Sequence, residues 1–70
     1  MSDLDLLRKR ISDSGMTMIS VARKAKISRV TLYNRLNGTG EFTAPEIVGL
    51  TNALHLSKPD REKIFFKGSM

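Results

Sequence analysis

Seventy residues make one small domain, and a chain of this length withdraws only roughly 60% of its unfolded surface from water, so its core has to be tight. With no cysteine and a single histidine, His55, neither disulfides nor a His/Cys metal cluster can staple it, and stability must come from packing. The net charge is +5, no apolar run approaches the roughly 20 residues of a membrane span, and the start around Asp3 and Asp5 does not read as a signal peptide; the expectation is a soluble cytoplasmic protein with no membrane partner, cofactor or metal.

Leu4, Leu7 and Ile11 recur at spacings of three and four, one face of a helix from about Asp3 to Ser14, with Arg8, Lys9 and Arg10 mostly turned outward and Gly15 after its end. Thr17 has the side chain of an N-cap, and Met16 and Val21 flank it at hydrophobic-staple spacing. The second helix that starts there offers Val21, Ala22 and Ala25 inward and stops near Lys26. Ser28 repeats the start signal, with Ile27 and Leu32 as its staple. The third helix puts Leu32 and Leu36 one turn apart, leaves Arg29, Val30, Tyr33, Asn34 and Arg35 on other faces, and ends at Asn37-Gly38, residues tolerant of a left-handed backbone. Thr43-Ala44-Pro45-Glu46 is a capping box with Pro in the first turn, stapled by Phe42 and Ile47; Ile47, Leu50 and Leu54 continue the fourth helix as a core stripe. Leu56-Ser57-Lys58-Pro59-Asp60 opens a fifth helix with Ile64, Phe65 and Phe66 at its apolar end. Strand-like alternation, repeats and low-complexity tracts are absent from the sequence.

The charge sits in one place. Arg23, Lys24, Lys26, Arg29 and Arg35 fall between Met16 and Gly40 with no acid among them, while acids and bases balance on either side. A localised basic segment is the footprint of a polyanion binder, or else an ordinary solvated basic face. Two short helices joined by about three residues, the second presenting polar and basic groups, are the parts of a helix-turn-helix, whose second helix reads the major groove. Lys26 and Ile27 supply the turn, and Ala22 suits a steep crossing that a bulkier side chain would hold apart.

Thr17 to Gly38, TMISVARKAKISRVTLYNRLNG, resembles the helix-turn-helix of the Cro and lambda-type repressor family. The GEFT loop before the fourth helix, and LS followed by IFF near the end, resemble small regulators of temperate phages and prophages of Gram-positive bacteria. The resemblance covers nearly the whole chain. It implies an all-α, compact five-helix lambda-repressor-like DNA-binding domain, acting in a bacterial cytoplasm on double-stranded operator DNA.

Position by position, the resemblance implies that Arg29, Val30 and Asn34 face base edges and that Ser28 and Thr31 stand near phosphates at the start of the third helix. Asn37 and the backbone around Gly38 and Thr39 would meet the next stretch of sugar-phosphate. Lys26 replaces the family's usual Gly and adds a cation near the phosphates; Tyr33 and Arg35 are further phosphate contacts. Met18 stands where the family often has a Gln that touches phosphate, a contact a thioether does not supply. The chemistry agrees: Arg can donate twice to guanine, Asn can pair with adenine, and Val can touch a thymine methyl.

Each residue also has a plainer reading. Ser28 caps its helix with or without DNA, Arg29 can be a solvated base, Val30 can pack inward, and Tyr33 can cover a neighbouring helix. His55 suits a helix C-terminus as a dipole partner, and so short a chain has little core in which to hide both Phe65 and Phe66. Nothing composes an enzyme: no cysteine nucleophile, no evident His–carboxylate pair, no metal-ligand spacing and no phosphate-cradling loop. The expected function is sequence-specific transcriptional regulation by operator occupancy, repression above activation, as a monomer or a weak homodimer. The rival is a protein-binding module, an antirepressor or antitoxin-like partner of a phage repressor, kept open by Met18, Ile19 and Val30 on or near the same surface.

Overall fold

The computed structural model describes residues 3–66; residues 1–2 and 67–70, which the single-domain expectation includes, lie outside the described residues. Five helices follow in chain order: α1 (Leu4–Ser14), α2 (Met18–Ala25), α3 (Arg29–Leu36), α4 (Ala44–Leu54) and α5 (Lys58–Phe65), with no strand among the described residues. The domain is compact and all-helical, 32 × 23 × 20 Å in extent.

Every helix starts on a side-chain cap that satisfies backbone donors the helix itself cannot. Asp3 accepts from the Leu6 amide, Thr17 from Ser20, Ser28 from Thr31, Thr43 from Glu46 and Ser57 from Asp60. The Thr43–Glu46 capping box is complete, because Glu46 Oε1 returns to the Thr43 amide at 3.1 Å. Asp3 is thus the cap of α1 rather than its first residue, and its own amide donates to Ile64 O at 2.8 Å, tying the start of α1 to α5.

One fully buried side chain comes from each helix: Leu7, Val21, Leu32, Leu50 and Ile64. Around them Ile11, Ala22, Ala25, Leu36, Ala53, Leu56 and Phe65 close the core, with the staple residues Met16, Ile27, Phe42 and Ile47 packed against it. No polar or charged residue is buried among the described residues. Phe65 goes inside, edge-on to Phe42 with ring centroids 5.1 Å apart, whereas Phe66 stays 45% exposed. The core accepts one phenylalanine of the pair.

α2 packs against α3 and, most extensively, against α4. At Gly49 the α4 backbone approaches α2 so closely that a Cβ there would land on the Ala25 carbonyl oxygen and within 3.2 Å of its Cα. α1 crosses α3, α4 and α5. Two of its three outward-expected bases are recruited to that crossing. Arg10 makes a two-pronged contact with Asp60 of α5, Nε to Oδ2 at 2.9 Å and Nη2 to Oδ1 at 3.3 Å. The hydrogen bonds and charge of Asp60 push the guanidinium pKa of Arg10 up. Arg8 reaches the end of α3, described next.

Candidate nucleic-acid interface

α2 ends at Lys26 in the left-handed region, φ 61° and ψ 39°, and the amides of Lys26 and Ile27 turn back to Arg23 O and Ala22 O at 3.1 and 2.9 Å. This closing turn is built for glycine, and a lysine there bears a backbone cost of roughly 1 kcal/mol. Three residues, Lys26, Ile27 and Ser28, therefore separate α2 from α3. Ile27 points into the core and anchors the turn.

On α3 the buried side is Leu32 and Leu36, and the opposite side is open. Arg29, Val30, Tyr33 and Asn34 are all exposed, and their three- and four-residue spacings put them on adjoining rows of one face. Val30 is 68% exposed and Tyr33 46%, which rules out the inward packing of Val30. Neither has apolar company that would explain it as core. The face thus offers a five-donor guanidinium, an amide, a phenol and a branched methyl pair, with no acid on the helix.

At the start of α3, Ser28 Oγ accepts from the Thr31 amide at 3.1 Å and donates to Thr31 Oγ1 at 2.8 Å. The hydroxyl proton of Ser28 is spent inside the cap. The proton of Thr31 is the one left to donate outward, so of the two hydroxyls expected at an anion the bonding favours Thr31.

The end of α3 is held by a residue the sequence reading had turned to solvent. Arg8 Nη2 donates to Leu36 O at 2.8 Å and to Asn37 Oδ1 at 3.1 Å, satisfying an orphan carbonyl and placing a cation at the helix C-terminus. With its oxygen engaged, the Asn37 side chain keeps its NH₂ to donate. The main-chain donors that follow are not available: the Asn37, Gly38 and Thr39 amides go to Tyr33, Arg35 and Asn34 carbonyls at 2.8–3.2 Å. Unfilled carbonyls at a helix end recruit the nearest amides, so an anion here meets the Asn37 and Thr39 side chains rather than the backbone.

Arg35 departs furthest from its expected place. Its Nε lies 3.1 Å from Glu46 Oε1 and its Nη1 3.2 Å from Thr39 O, and the side chain is only 20% exposed. It clamps the loop between α3 and α4 to the capping box of α4. Gly40, at φ 77°, lies directly against it, and a Cβ there would strike the guanidinium. Whereas Arg29 and Asn34 are exposed, the contacts with Glu46 and Thr39 leave Arg35 mostly withdrawn from solvent. Its place in the buried-side sequence next to Leu36 was the available signal.

Lys26, exposed, and Arg29 lie on either side of the α3 cap, and Lys24 lies one turn earlier. The described residues hold no cluster of metal-ligating side chains, and no described helix is long and apolar enough to cross a membrane. No family model, curated protein or solved structure matches the chain.

Proposed function

We propose that this protein is a sequence-specific DNA-binding regulator that works by occupying its site, with α2 and α3 as a lambda-repressor-like helix-turn-helix and α3 in the major groove. The observation that carries the reading is the open face of α3, where Arg29, Val30 and Asn34 stand exposed in the one segment of the chain that is basic and free of acids. A helix of 10–12 Å diameter enters a groove about 12 Å wide, and Arg and Asn are the two side chains that pair bidentately with guanine and adenine edges. Thr31 and the N-terminus of α3 suit a phosphate, as do Lys26, Tyr33, Asn37 and Thr39 along the rim. Arg8 and Arg35 both fix the C-terminal end of α3. Regulation through operator occupancy requires no catalysis and no cofactor.

The test is a salt-dependent titration of wild type and Arg29→Ala against DNA flanking the protein's own gene and random DNA of equal length. The reading expects preference for the flanking DNA, lost with Arg29→Ala at a cost of about 1–3 kcal/mol, and affinity falling steeply with salt. Equal, feeble binding to both DNAs would refute it. A second reading, a protein-binding module, draws on two exposed apolar side chains, Ile19 at 49% and Val30 at 68%. Met18, by contrast, packs against the core and gives it nothing. That reading expects a partner affinity nearly indifferent to salt.

A further inference from the structure

We propose that the outward face of α4, with the end of α2 on one side and α5 on the other, is a docking surface for an acidic amphipathic helix of a partner protein. It goes beyond DNA reading and does not depend on it.

α4 carries one charged residue, Glu46, whose carboxylate is taken by Arg35 and the Thr43 amide. Its exposed positions Ala44, Pro45, Val48 and Asn52 carry no charge, and their spacing makes one stripe along the helix. Val48 is 59% exposed, a branched apolar side chain standing in water.

Two grooves flank the stripe. One, of about 520 Å³, lies against the end of α2 and has Ala25, Ile27 and Gly49 in its wall; the other, of about 320 Å³, lies against α5, with Ile47 and Phe66. Ala44 and Val48 line both, so the two grooves are a single surface with Val48 as its ridge.

The α2 edge of this surface is basic, and the α5 edge carries one charge of each sign, Arg61 and Glu62. Lys24 and Lys26 border the first groove, and neither is in an ion pair among the described residues. Arg61 borders the second, and its Nε is buried with no hydrogen-bond partner. Glu62 is the one acid on the α5 edge, and Glu46, on the first groove, is already turned to Arg35. An apolar ridge and floor beside the basic α2 edge complements a helix with large apolar residues at i, i+3, i+4 and i+7 and Asp and Glu along the side that meets Lys24 and Lys26. A nucleic acid would use the lysines but leave the apolar floor uncovered. Arg29, Val30 and Asn34 line neither groove, and only Lys26 borders both surfaces.

The test is a titration of the full chain, followed by backbone amide chemical shifts, with a synthetic helix roughly four turns long carrying leucines on one face and Asp/Glu on the other. A control peptide keeps the leucines and replaces the acids with lysine. The acidic peptide is expected to shift the amides of Lys24, Ile27, Val48, Asn52 and Phe66. Val48→Ser should weaken it about tenfold and Lys24→Glu several-fold, with the basic control weaker still. Val48→Ser should leave DNA binding unchanged, so failure on DNA and failure on the peptide are read separately. The proposal is overturned by no shifts at about 1 mM peptide. Equal binding of the basic control, no effect of Val48→Ser, or shifts centred on Arg29 to Asn34 overturn it too. So do shifts of the same α4 residues that grow with protein concentration alone, which would make a second copy the occupant.

Discussion

Gly49→Ala is expected to destabilise the domain even though alanine is the better helix former. In an exposed helix the change would gain about 1 kcal/mol, because glycine has the larger conformational entropy to lose. Here the new methyl falls on the Ala25 carbonyl oxygen, which is backbone at the C-terminal end of α2, in the most extensive helix pair, and is no flexible side chain that can swing aside. Restoring van der Waals contact moves α4 away from α2 by about 1 Å, loosening the core that both helices share. Overpacking of this kind costs about 1–3 kcal/mol beyond the helix-propensity gain, and a domain of this size loses about 4–8 °C of Tm per kcal/mol. A fall of roughly 4–24 °C is the expected result of thermal unfolding followed by circular dichroism. Gly38→Ala is the companion variant. It lies at φ 87° with nothing within 4 Å of an added Cβ, so only backbone strain of about 1–2 kcal/mol acts there. If Gly49→Ala melts at or above wild type, the close approach of α4 to α2 is wrong.

Other substitutions test the supports of α3 one at a time. Arg8→Ala leaves Leu36 O without its donor and should cost about 1 kcal/mol in denaturant unfolding, with faster hydrogen exchange confined to residues 36–39. Glu46→Ala removes both the return half of the capping box and the anchor of Arg35. It should cost about 2 kcal/mol, and Glu46→Gln clearly less, since an amide oxygen can still cap; equal losses would show that the capping box contributes nothing. Lys26→Gly relieves the left-handed backbone at φ 61° and should stabilise by about 0.5–1 kcal/mol. If Lys26 meets a phosphate, the same change lowers the slope of log affinity against log salt by about 1; an unchanged slope would remove Lys26 from the interface.

Element type and most helix boundaries were legible in the chain because they rest on local chemistry. Thr17, Ser28, Thr43 and Ser57 each accept from an amide three residues on, and that contact needs only the residues that make it. The stripes Val21–Ala22–Ala25 and Leu32–Leu36 fell inward as their spacing required. Gly49 left a fainter mark, since a glycine inside an apolar helix costs stability unless another backbone needs the space.

What the sequence determined by itself was therefore where helices start and stop, which faces are apolar, and that all the excess positive charge lies between Met16 and Gly40. What only the tertiary structure decided was the partner of each long cation. Arg8, Arg10 and Arg35 look alike in sequence, each a base on a helix, yet one caps α3, one bridges to α5 and one clamps a loop, while Arg29 alone of the arginines on α3 stays free on the open face. The physical reason is reach. A guanidinium on its flexible stem is committed by whichever carbonyl or carboxylate the packing brings near it, 28 and 50 residues along the chain for Arg8 and Arg10, and no periodicity within a helix carries that information.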